Sequence, residues 1–267
     1  MSEVLVTGGS SALGQLVVDR LVSDGHRVRV LMRAATASPW TADSNVDVVL
    51  GDLGDAASLR TAVDAVDSVV HCASNPRASQ EVDVQGTARL VEAARDARNP
   101  HLVYVSIVGV DRIPVAYYRA KRQTEEIVAR SGLPWTVQRA TQFHSFLANT
   151  LATLARAPML PVPQRFRFQP VDTAEVADRL CRHVTAGPAE RAPDFGGPEV
   201  RSGVDLAHAW ARLTASRRRI VAVPVPGNLA RAYRAGANVC PDQPRGVRTW
   251  EEFLSSSNPA RSAHEQR

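Results

Sequence analysis

The stretch VLVTGGSSALG, Val4 to Gly14, decides the fold of this 267-residue chain. Its first three residues form the apolar run of a short strand, and a turn of small residues leads into Gln15 to Ser23, where apolar residues recur with helical spacing. Gly8 and Gly14 hold the outer positions of a G-x-x-G-x-x-G arrangement, and Ser11 holds the middle one. The stretch therefore predicts a strand, a tight turn and a helix.

A strand-to-helix turn of this kind, at the start of a parallel sheet, is where the pyrophosphate of a dinucleotide binds. Glycines allow the backbone to approach the ligand, and the N–H groups and dipole of the following helix attract an anion. Ser11 leaves the glycine pattern incomplete, whereas its place directly after the first strand strengthens it. The alternative is a turn of small residues that only packs helix on strand.

Strands and helices alternate along the first half of the chain. The predicted strands are 4–6, 26–32, 46–50, 68–72, 102–106 and 135–139, and the predicted helices are 15–23, 57–65, 79–98 and the segment between Pro114 and Ser131. This alternation predicts an α/β fold with a doubly wound parallel Rossmann sheet and a small C-terminal substrate lobe. We expect a dinucleotide-binding Rossmann domain at 1–156, a lobe at 157–254 with elements returning to the Rossmann core, and a disordered tail at 255–267.

The end of the second strand, Leu31-Met32-Arg33, indicates which dinucleotide binds. A carboxylate at this place accepts hydrogen bonds from the ribose of NAD, whereas an arginine suits the 2′-phosphate of NADP. Since no acidic residue is in reach, NADP(H) is favoured over NAD(H); the alternative is that Arg33 is an ordinary surface residue. Asp52, after the third strand, is expected near the adenine, where its carboxylate can accept from the exocyclic amine.

Composition narrows the class of protein. A chain with 44% hydrophobic and 22% charged residues is ordinary for a soluble globular protein, and its three cysteines, without any C-x-x-C spacing, predict reduced thiols and no metal site. The N-terminus has no basic leader and no run approaches the ~18 apolar residues of a membrane span, so we expect a cytoplasmic protein without a membrane partner. The net charge of +5 comes from scattered arginines, which favours a small-molecule substrate over nucleic acid and leaves the oligomeric state open.

The segment AYYRAKRQTEE, Ala116 to Glu126, contains the only lysine among the 32 Lys and Arg residues. This suggests that Lys121 does something that a guanidinium cannot. Tyr117 lies four residues earlier, on the same face of the predicted helix. Tyrosine alone has a pKa near ~10, and a neighbouring ammonium favours its phenolate form and can also hydrogen-bond the nicotinamide ribose. The alternative is a surface lysine paired with Glu125.

In this order along the chain, the motifs resemble the short-chain dehydrogenase/reductase superfamily, in its extended or atypical NmrA-like branch. The matching motifs are VTGGSSALG at 6–14, GDL at 51–53, VVHCA at 69–73, DVQGT at 83–87, VS at 105–106, Tyr117 with Lys121, QPVD at 169–172 and GGPE at 196–199. The resemblance implies cofactor contacts from Thr7, Gly8, Ser10, Ser11, Ala12, Leu13, Gly14, Arg33, Asp52, Leu53, Ala73, Ser74, Lys121, Thr141 and Phe143.

The resemblance also implies that Tyr117 is the general acid or base and that Lys121 tunes it, with hydride passing between C4 of the nicotinamide and a carbonyl carbon. Ser106 stands where the family has a Ser or Thr that polarises the carbonyl. In the common Ser-Ser version the second residue often does this, and that position is Ile107 here. Because neighbouring strand residues point to opposite faces, only one of the two can reach the site.

Two further residues near these motifs have open roles. The asparagine that the family often has in the helix before the Ser106 strand corresponds to Asp83 here. His144 is either a substrate-side acid or contact, or a partly buried histidine with a satisfied hydrogen bond.

The sequence thus predicts an NADP(H)-dependent oxidoreductase that reduces a carbonyl, or oxidises the alcohol, of a small, moderately hydrophobic molecule. The walls of its substrate site are expected to come from Phe143, Phe146, Leu147, Leu160, Phe166, Phe168 and Tyr233. One alternative is a cofactor-sensing regulator without turnover, a group in which the Tyr/Lys pair tends to be lost. Another, ranked lower, is a sugar-nucleotide epimerase or dehydratase, whose chains are generally longer. The fold alone does not separate these functions.

Overall fold

The computed structural model describes residues 2–33, 40, 45–243 and 246–257. Ala34, Ala35 and the end of the predicted tail, 258–267, lie outside the described residues. Within the described ranges the elements are β1 (Glu3–Thr7), α1 (Ala12–Ser23), β2 (Arg27–Met32), β3 (Val46–Leu50), α2 (Ala56–Val63), β4 (Ser68–His71), a π-helix (Gln80–Gln85), α3 (Gly86–Asp96), β5 (His101–Ile107), α4 (Ala116–Ala129), β6 (Trp135–Ala140), α5 (His144–Leu154), β7 (Met159–Pro163), β8 (Arg167–Phe168), α6 (Thr173–Ala186), β9 (Glu190–Arg191), β10 (Arg201–Ser202), α7 (Gly203–Leu213), β11 (Arg219–Val223), α8 (Asn228–Arg234) and α9 (Trp250–Ser256).

The chain is divided into two units that alternate along the sequence. Unit 1 comprises residues 1–106, 116–139 and 174–193, and unit 2 comprises residues 107–115, 140–173 and 194–267. The predicted boundary at residue 156 therefore differs from the division in the structure: the chain is already in unit 2 at 107–115 and from 140 onward. The third segment of unit 1, residues 174–193, contains β9 and all of α6 except its first residue.

Unit 1 is built on a seven-stranded sheet with the order β3-β2-β1-β4-β5-β6-β9. β1 lies between β2 and β4 and is parallel to both, with Val4 opposite Val28 on one side and Ser68 on the other. Strands covered on both faces read as continuous apolar runs, which explains the sequence of β1. The predicted α/β fold with a doubly wound parallel sheet is confirmed.

The helices of unit 1 are tied to this sheet by apolar packing and by their caps. Leu5, Leu59, Leu90 and Leu102 belong to one core cluster, each with at most 1% of its surface exposed. Burial of a leucine side chain contributes about 1.5–3 kcal/mol. Asp55 accepts hydrogen bonds from the backbone N–H groups of Ala57 and Ser58 and is the N-cap of α2, which begins one residue before the predicted start at 57.

Residues Gln80–Gln85 form a π-helix that runs directly into α3. The sequence predicts one regular helix over 79–98, so the predicted helix exists but its first part is wound with a wider turn. Thr87, at the start of α3, donates its hydroxyl proton to the backbone oxygen of Asp83. Short π-helical segments of this kind are frequent at functional sites.

Unit 2 contains two small ribbons and a helical core. β7 and β11 pair in parallel, and β8 and β10 pair antiparallel. Leu160, Trp210 and Trp250 pack in one cluster with apolar residues of α5, α7 and α9. Since α9 extends to Ser256, the first two residues of the predicted tail are helical. No helix in the described part of the chain is long and apolar enough to cross a membrane.

Candidate functional site

The turn between β1 and α1 is as tight as its glycines predict. Gly8 has a positive φ of 71°, and a Cβ at this position would lie 2.6 Å from the backbone nitrogen of Ala73 on the neighbouring strand connection. A Cβ at Gly14 would lie 2.2 Å from the backbone oxygen of Gly8. Ser11, at the middle position of the pattern, is the N-cap of α1, and its hydroxyl accepts from the Gly14 N–H at 3.0 Å. Serine therefore serves here as a helix cap.

A cavity of about 340 Å³ opens at the carboxyl ends of β1, β2 and β4, within the volume range of small-ligand sites. The predicted cofactor residues that line it are Thr7, Gly8, Ser10, Ser11, Arg33, Asp52, Leu53, Ala73 and Ser74. The predicted residues Ala12, Leu13 and Gly14 are not in its lining but form the first turn of α1 beside it.

The residues predicted to bind the adenosine end of the dinucleotide line this cavity. Arg33, exposed at the end of β2, is part of the lining together with Asp52. One carboxylate oxygen of Asp52 accepts the backbone N–H of Gly54 at 2.8 Å, which fixes the side chain. Arg89 and Glu81 also line the cavity, and neither was predicted from the sequence. Arg89 follows the DVQGT motif on α3, which was the available signal.

Tyr117 and Lys121 lie on α4, as predicted, and their polar atoms contact residues in or shortly before the π-helix. The Tyr117 hydroxyl is 2.8 Å from Oγ of Ser74, and Oγ of Ser74 is 2.6 Å from Oδ1 of Asp83. Nζ of Lys121 lies 3.5 Å from the same Oδ1 and donates to the backbone oxygen of Val105 at 3.2 Å. Since Ser74 lines the cavity, the Tyr117 hydroxyl lies beside it.

Lys121 is only 3% exposed and is not part of the cavity lining. Burial by itself would lower the pKa of Lys121, but the neighbouring Tyr104, Tyr117 and Asp83 raise it above its ordinary value. The ammonium therefore stays charged inside the protein. It also lies 4.7 Å from the centre of the Tyr104 ring, where the ring face attracts a cation.

The alternative partner for Lys121, Glu125, is engaged elsewhere. Both oxygens of Glu125 accept from the guanidinium of Arg139, at 2.7 and 2.6 Å. This is the two-pronged geometry that guanidinium and carboxylate favour. Lys121 is thus buried and paired with a residue distant in sequence. The alternative prediction of a surface ion pair within α4 is wrong.

A second chain of hydrogen bonds connects β1, β4 and α3 beneath the cavity. Thr7 Oγ1 is 2.6 Å from Nδ1 of His71, and Nε2 of His71 is 2.8 Å from Oγ1 of Thr87. Thr87 donates its single hydroxyl proton to the backbone oxygen of Asp83. Nε2 of His71 therefore carries the ring proton and donates to Thr87, and Thr7 donates to Nδ1. Burial and the charge of Lys121 lower the pKa of His71 to about 3, so the ring is neutral.

Ser106 lies at the end of β5 with 2% of its surface exposed, and its hydroxyl has no hydrogen-bond partner among the described residues. It does not line the cavity. Ile107, the other residue at this position of the motif, is half-buried. A buried hydroxyl without a hydrogen-bond partner costs free energy.

The remaining predicted residues belong to unit 2. Thr141 donates its hydroxyl proton to the backbone oxygen of Gln169. Phe143 holds the N-cap position of α5 and forms an isolated β-bridge with Val171. Leu160 is fully buried in the core of unit 2, which leaves it no surface for a substrate wall. The other expected wall residues also lie in unit 2: Phe143, Phe146, Leu147, Phe166, Phe168 and Tyr233.

His144 fits neither of its two predicted roles. Only 1% of its surface is exposed, and its ring stacks on Phe253 with centroids 5.0 Å apart. Both ring nitrogens lack a hydrogen-bond partner among the described residues, and the nearest carboxylate oxygen, on Asp172, is 3.9 Å from Nδ1. His144 is therefore a packed core residue of unit 2, without the hydrogen bond expected of a buried histidine.

These residues fit a nicotinamide dinucleotide. The α1 N-terminus and the turn at Gly8 suit a pyrophosphate, Arg33 brings a positive charge to the lining, and Ser74, with Tyr117 beside it, supplies hydroxyl groups. Sheet, turn and cavity together define a dinucleotide-binding protein of the Rossmann type. The chain belongs to the NAD(P)H-binding family, whose model matches residues 8–180.

Two curated relatives are named as reductases. The ceramide reductase of Caulobacter vibrioides is 28% identical over 244 residues, which is 85% of this chain and 75% of that protein. The (4-alkanoyl-5-oxo-2,5-dihydrofuran-3-yl)methyl phosphate reductase of Streptomyces griseus is 33% identical over 151 residues, 56% of this chain and 50% of that protein. The chain spans only 19% of the length of uncharacterized mycobacterial proteins that it also matches at 29% identity over 178 residues.

Among solved structures, the NADPH-dependent quinone oxidoreductase QOR2 of Escherichia coli, complexed with NADPH, superposes with a TM-score of 0.80. The match covers 95% of this chain and 99% of that one at 16% sequence identity. At this identity the likeness shows the fold alone.

Proposed function

We propose that the protein is an NADP(H)-dependent oxidoreductase of the short-chain dehydrogenase/reductase type, NmrA-like, that interconverts a carbonyl and an alcohol on a small, moderately hydrophobic molecule. The observation that carries the proposal is the position of the Tyr117 hydroxyl, 2.8 Å from a side chain that lines the dinucleotide cavity. A tyrosine at this place can exchange a proton with a substrate oxygen next to the cofactor.

In this function the nicotinamide supplies or accepts the hydride, and the chain's own residues handle the proton and the orientation. Tyr117 gives its proton to the carbonyl oxygen in reduction and takes it back in oxidation. The buried ammonium of Lys121 favours the phenolate that Tyr117 forms, because opposite charges stabilise each other strongly where water is excluded. Ser106, at the end of β5, has a hydroxyl without a hydrogen-bond partner among the described residues, and this hydroxyl can polarise the carbonyl.

The preference for NADP(H) rests on Arg33. It lines the cavity at the end of β2, where an NAD-preferring site places a carboxylate. Charge-assisted hydrogen bonds to a phosphate contribute about 1.5–3 kcal/mol. Removal of this side chain should therefore weaken NADPH binding about tenfold to a hundredfold and leave NADH binding nearly unchanged.

The reductase names of the two curated relatives support the direction of carbonyl reduction. The aromatic residues that the sequence predicts as walls of the substrate site, including Phe143 and Phe166, favour a substrate with an apolar part.

The first experiment is a titration of the purified protein with NADPH and with NADH, on the wild type, Arg33→Ala and Arg98→Ala. Arg98 is an exposed arginine outside the cavity lining and serves as the matched control. NADPH binding that is tighter than NADH binding, and that only Arg33→Ala weakens, supports the cofactor assignment. Equal affinities in all three proteins would contradict it.

The second experiment is a panel of carbonyl substrates at saturating NADPH, followed by loss of the reduced-nicotinamide absorbance. Tyr117→Phe should keep its NADPH affinity and lose about 100-fold or more in kcat, because acid–base catalysis of this kind contributes about 10²–10⁴. Tyr118→Phe, which alters the neighbouring buried tyrosine, is the control and should retain turnover. Full turnover in Tyr117→Phe would sink the proposal.

A second candidate function, a non-catalytic NADP(H) sensor, is favoured by one observation. Lys121 is 3% exposed, and its ammonium already faces Asp83 and the Val105 backbone oxygen. If Lys121 cannot reach the cofactor, the Tyr/Lys pair does not work as in the enzymes. Tight NADPH binding with no turnover across the panel would select this function.

A further inference from the structure

Ser74 connects the dinucleotide cavity to a carboxylate that the cavity does not reach. It follows β4, is exposed and lines the cavity. Its Oγ lies 2.6 Å from Oδ1 of Asp83 and 2.8 Å from the Tyr117 hydroxyl. Asp83, in contrast, is 1% exposed and absent from the lining. The serine hydroxyl is thus the link between a solvent-facing tyrosine and a buried acid.

The direction of these hydrogen bonds follows from the number of protons. An ionised carboxylate only accepts, and a serine hydroxyl has a single proton. Ser74 therefore donates to Asp83. Its oxygen can then only accept from Tyr117, so the three groups form the directed chain Tyr117 O–H to Ser74 O–H to Asp83 carboxylate.

Charged and titratable groups surround the Asp83 carboxylate. From α4 it faces the Lys121 ammonium, 3.5 Å from Oδ1, and the hydroxyl of Tyr117 lies beyond Ser74. The backbone N–H of Asn75 donates to Oδ2 at 3.0 Å. Two further titratable groups face Asp83 from the sheet, His71 on β4 and Tyr104 on β5. Both are neutral, since burial lowers the pKa of His71 to about 3 and raises the pKa of Tyr104 to about 12.

We propose that Ser74 and Asp83 form a proton relay for Tyr117, with Asp83 as the proton store; the proposal rests on the proposed oxidoreductase function. In alcohol oxidation the substrate hydroxyl proton passes to Oη of Tyr117, the Tyr117 proton passes to Oγ of Ser74, and the Ser74 proton passes to Oδ1 of Asp83. Three O–H bonds break and three form. The hydride, with its electron pair, leaves the substrate carbon for the oxidised nicotinamide.

At the end of this step Tyr117 and Ser74 are neutral again and Asp83 is a carboxylic acid beside the Lys121 ammonium. After the product leaves, Tyr117, whose side chain is partly exposed, releases its proton to solvent water, and the Asp83 proton passes through Ser74 back to the Tyr117 oxygen. Carbonyl reduction uses the same bonds in reverse. Ser74 is catalytic in this scheme because it touches the reacting tyrosine oxygen, whereas Asp83 acts through Ser74 and is a positioning residue.

The test uses the full chain with an active substrate and four variants: Ser74→Ala, Ser74→Thr, Asp83→Asn and the double variant Ser74→Ala/Asp83→Asn. Asp83→Asn keeps an oxygen for Ser74 but cannot store the proton. Ser79→Ala is the matched control, because Ser79 precedes the π-helix without a side-chain cap hydrogen bond. The measurements are the NADP⁺ dissociation constant, KM and kcat as functions of pH.

The relay predicts that Ser74→Ala lowers kcat about tenfold or more, a part of the roughly 10²–10⁴ that acid–base catalysis contributes. KM and the NADP⁺ dissociation constant should stay within about twofold of the wild-type values. Ser74→Thr should restore kcat, since it returns a hydroxyl. Asp83→Asn should lower kcat about as much as Ser74→Ala does, because the amide cannot take up the proton from Ser74. The double variant should be no slower than the slower single variant, because the two residues act in one chain.

Several outcomes would overturn the relay in an active enzyme: wild-type kcat and pH profile in Ser74→Ala, a loss that Ser74→Thr does not restore, or additive losses in the double variant. A wild type that binds NADPH and turns over nothing would instead contradict the proposed function. The two failures are therefore distinguishable. Because Ser74 is exposed, Ser74→Ala should fold normally, and a thermal unfolding scan of each variant verifies this.

Discussion

Gly8→Ala tests how strictly the turn before α1 requires glycine, and Gly25→Ala is its control. Both glycines have a positive φ, 71° at Gly8 and 81° at Gly25. A Cβ at Gly25 has no heavy atom within 4 Å, whereas a Cβ at Gly8 lies 2.6, 2.7 and 2.8 Å from backbone atoms of Ala73 and Cys72. The two substitutions therefore share the backbone strain and differ only in the overlap.

The magnitudes follow from these two contributions. A left-handed conformation costs a non-glycine residue about 1–2 kcal/mol, so Gly25→Ala should lower the free energy of unfolding by about that amount. At Gly8 the overlapping atoms are backbone and cannot rotate away, and overpacking of this kind costs about 1–3 kcal/mol more. Gly8→Ala should therefore cost about 2–5 kcal/mol and should also weaken NADPH binding, because the turn must move.

The assay is urea unfolding followed by circular dichroism, combined with an NADPH titration of the folded variants. The expected result is a lower midpoint for Gly8→Ala than for Gly25→Ala, with weaker NADPH binding only in Gly8→Ala. If both variants lose the same stability and both bind NADPH like the wild type, the close approach of Gly8 to Ala73 does not govern the turn.

Two further predictions concern charge inside unit 1. Arg139→Ala leaves the half-buried Glu125 without its bidentate partner at 2.6 and 2.7 Å, and this should lower the free energy of unfolding in urea by about 3–5 kcal/mol. Arg122→Ala breaks an exposed pair with Glu126 at 3.5 Å and should cost under about 1 kcal/mol. Equal losses in the two variants would contradict the larger value for Arg139→Ala. The pKa of His71 falls from 6.5 to about 3 on folding. Between those pH values only the unfolded chain binds this proton, so the contribution of the neutral His71 ring to stability is fully present above pH 6.5 and is lost as the pH falls. His71→Gln should flatten the fall in unfolding free energy over that window by up to about 1.4 kcal/mol per pH unit, while the exposed His208→Gln should not; an unchanged slope in His71→Gln would count against a neutral buried ring.

The elements of the parallel sheet could be predicted because local and long-range preferences agree there. The central residues of β1, Val4 to Val6, are apolar because both faces of the strand are covered. The turn at Gly8 and the helix after it have their own sequence signals. The π-helix before α3 has no such signal. Its apolar residues are compatible with an ordinary helix, and the wider turn depends on where Asp83 and Thr87 find partners in the folded protein.

The candidate site was predicted in its parts but not in its connections. Spacing places Tyr117 and Lys121 on one face of α4, and this is how they lie. The partner of Lys121 is Asp83, 38 positions earlier in the sequence, and Glu125 binds Arg139. An i,i+4 rule describes an isolated helix, and here burial against the sheet offers both charged groups stronger partners that no local pattern contains.

The alternation of the two units has a consequence for anyone who wishes to dissect the chain. The backbone passes from one unit to the other five times, after residues 106, 115, 139, 173 and 193. No single cut in the gene releases either unit as a continuous piece, and a fragment that ends at residue 139 would omit β9 from the edge of its sheet. Experiments on one unit alone would call for spliced segments joined by designed linkers.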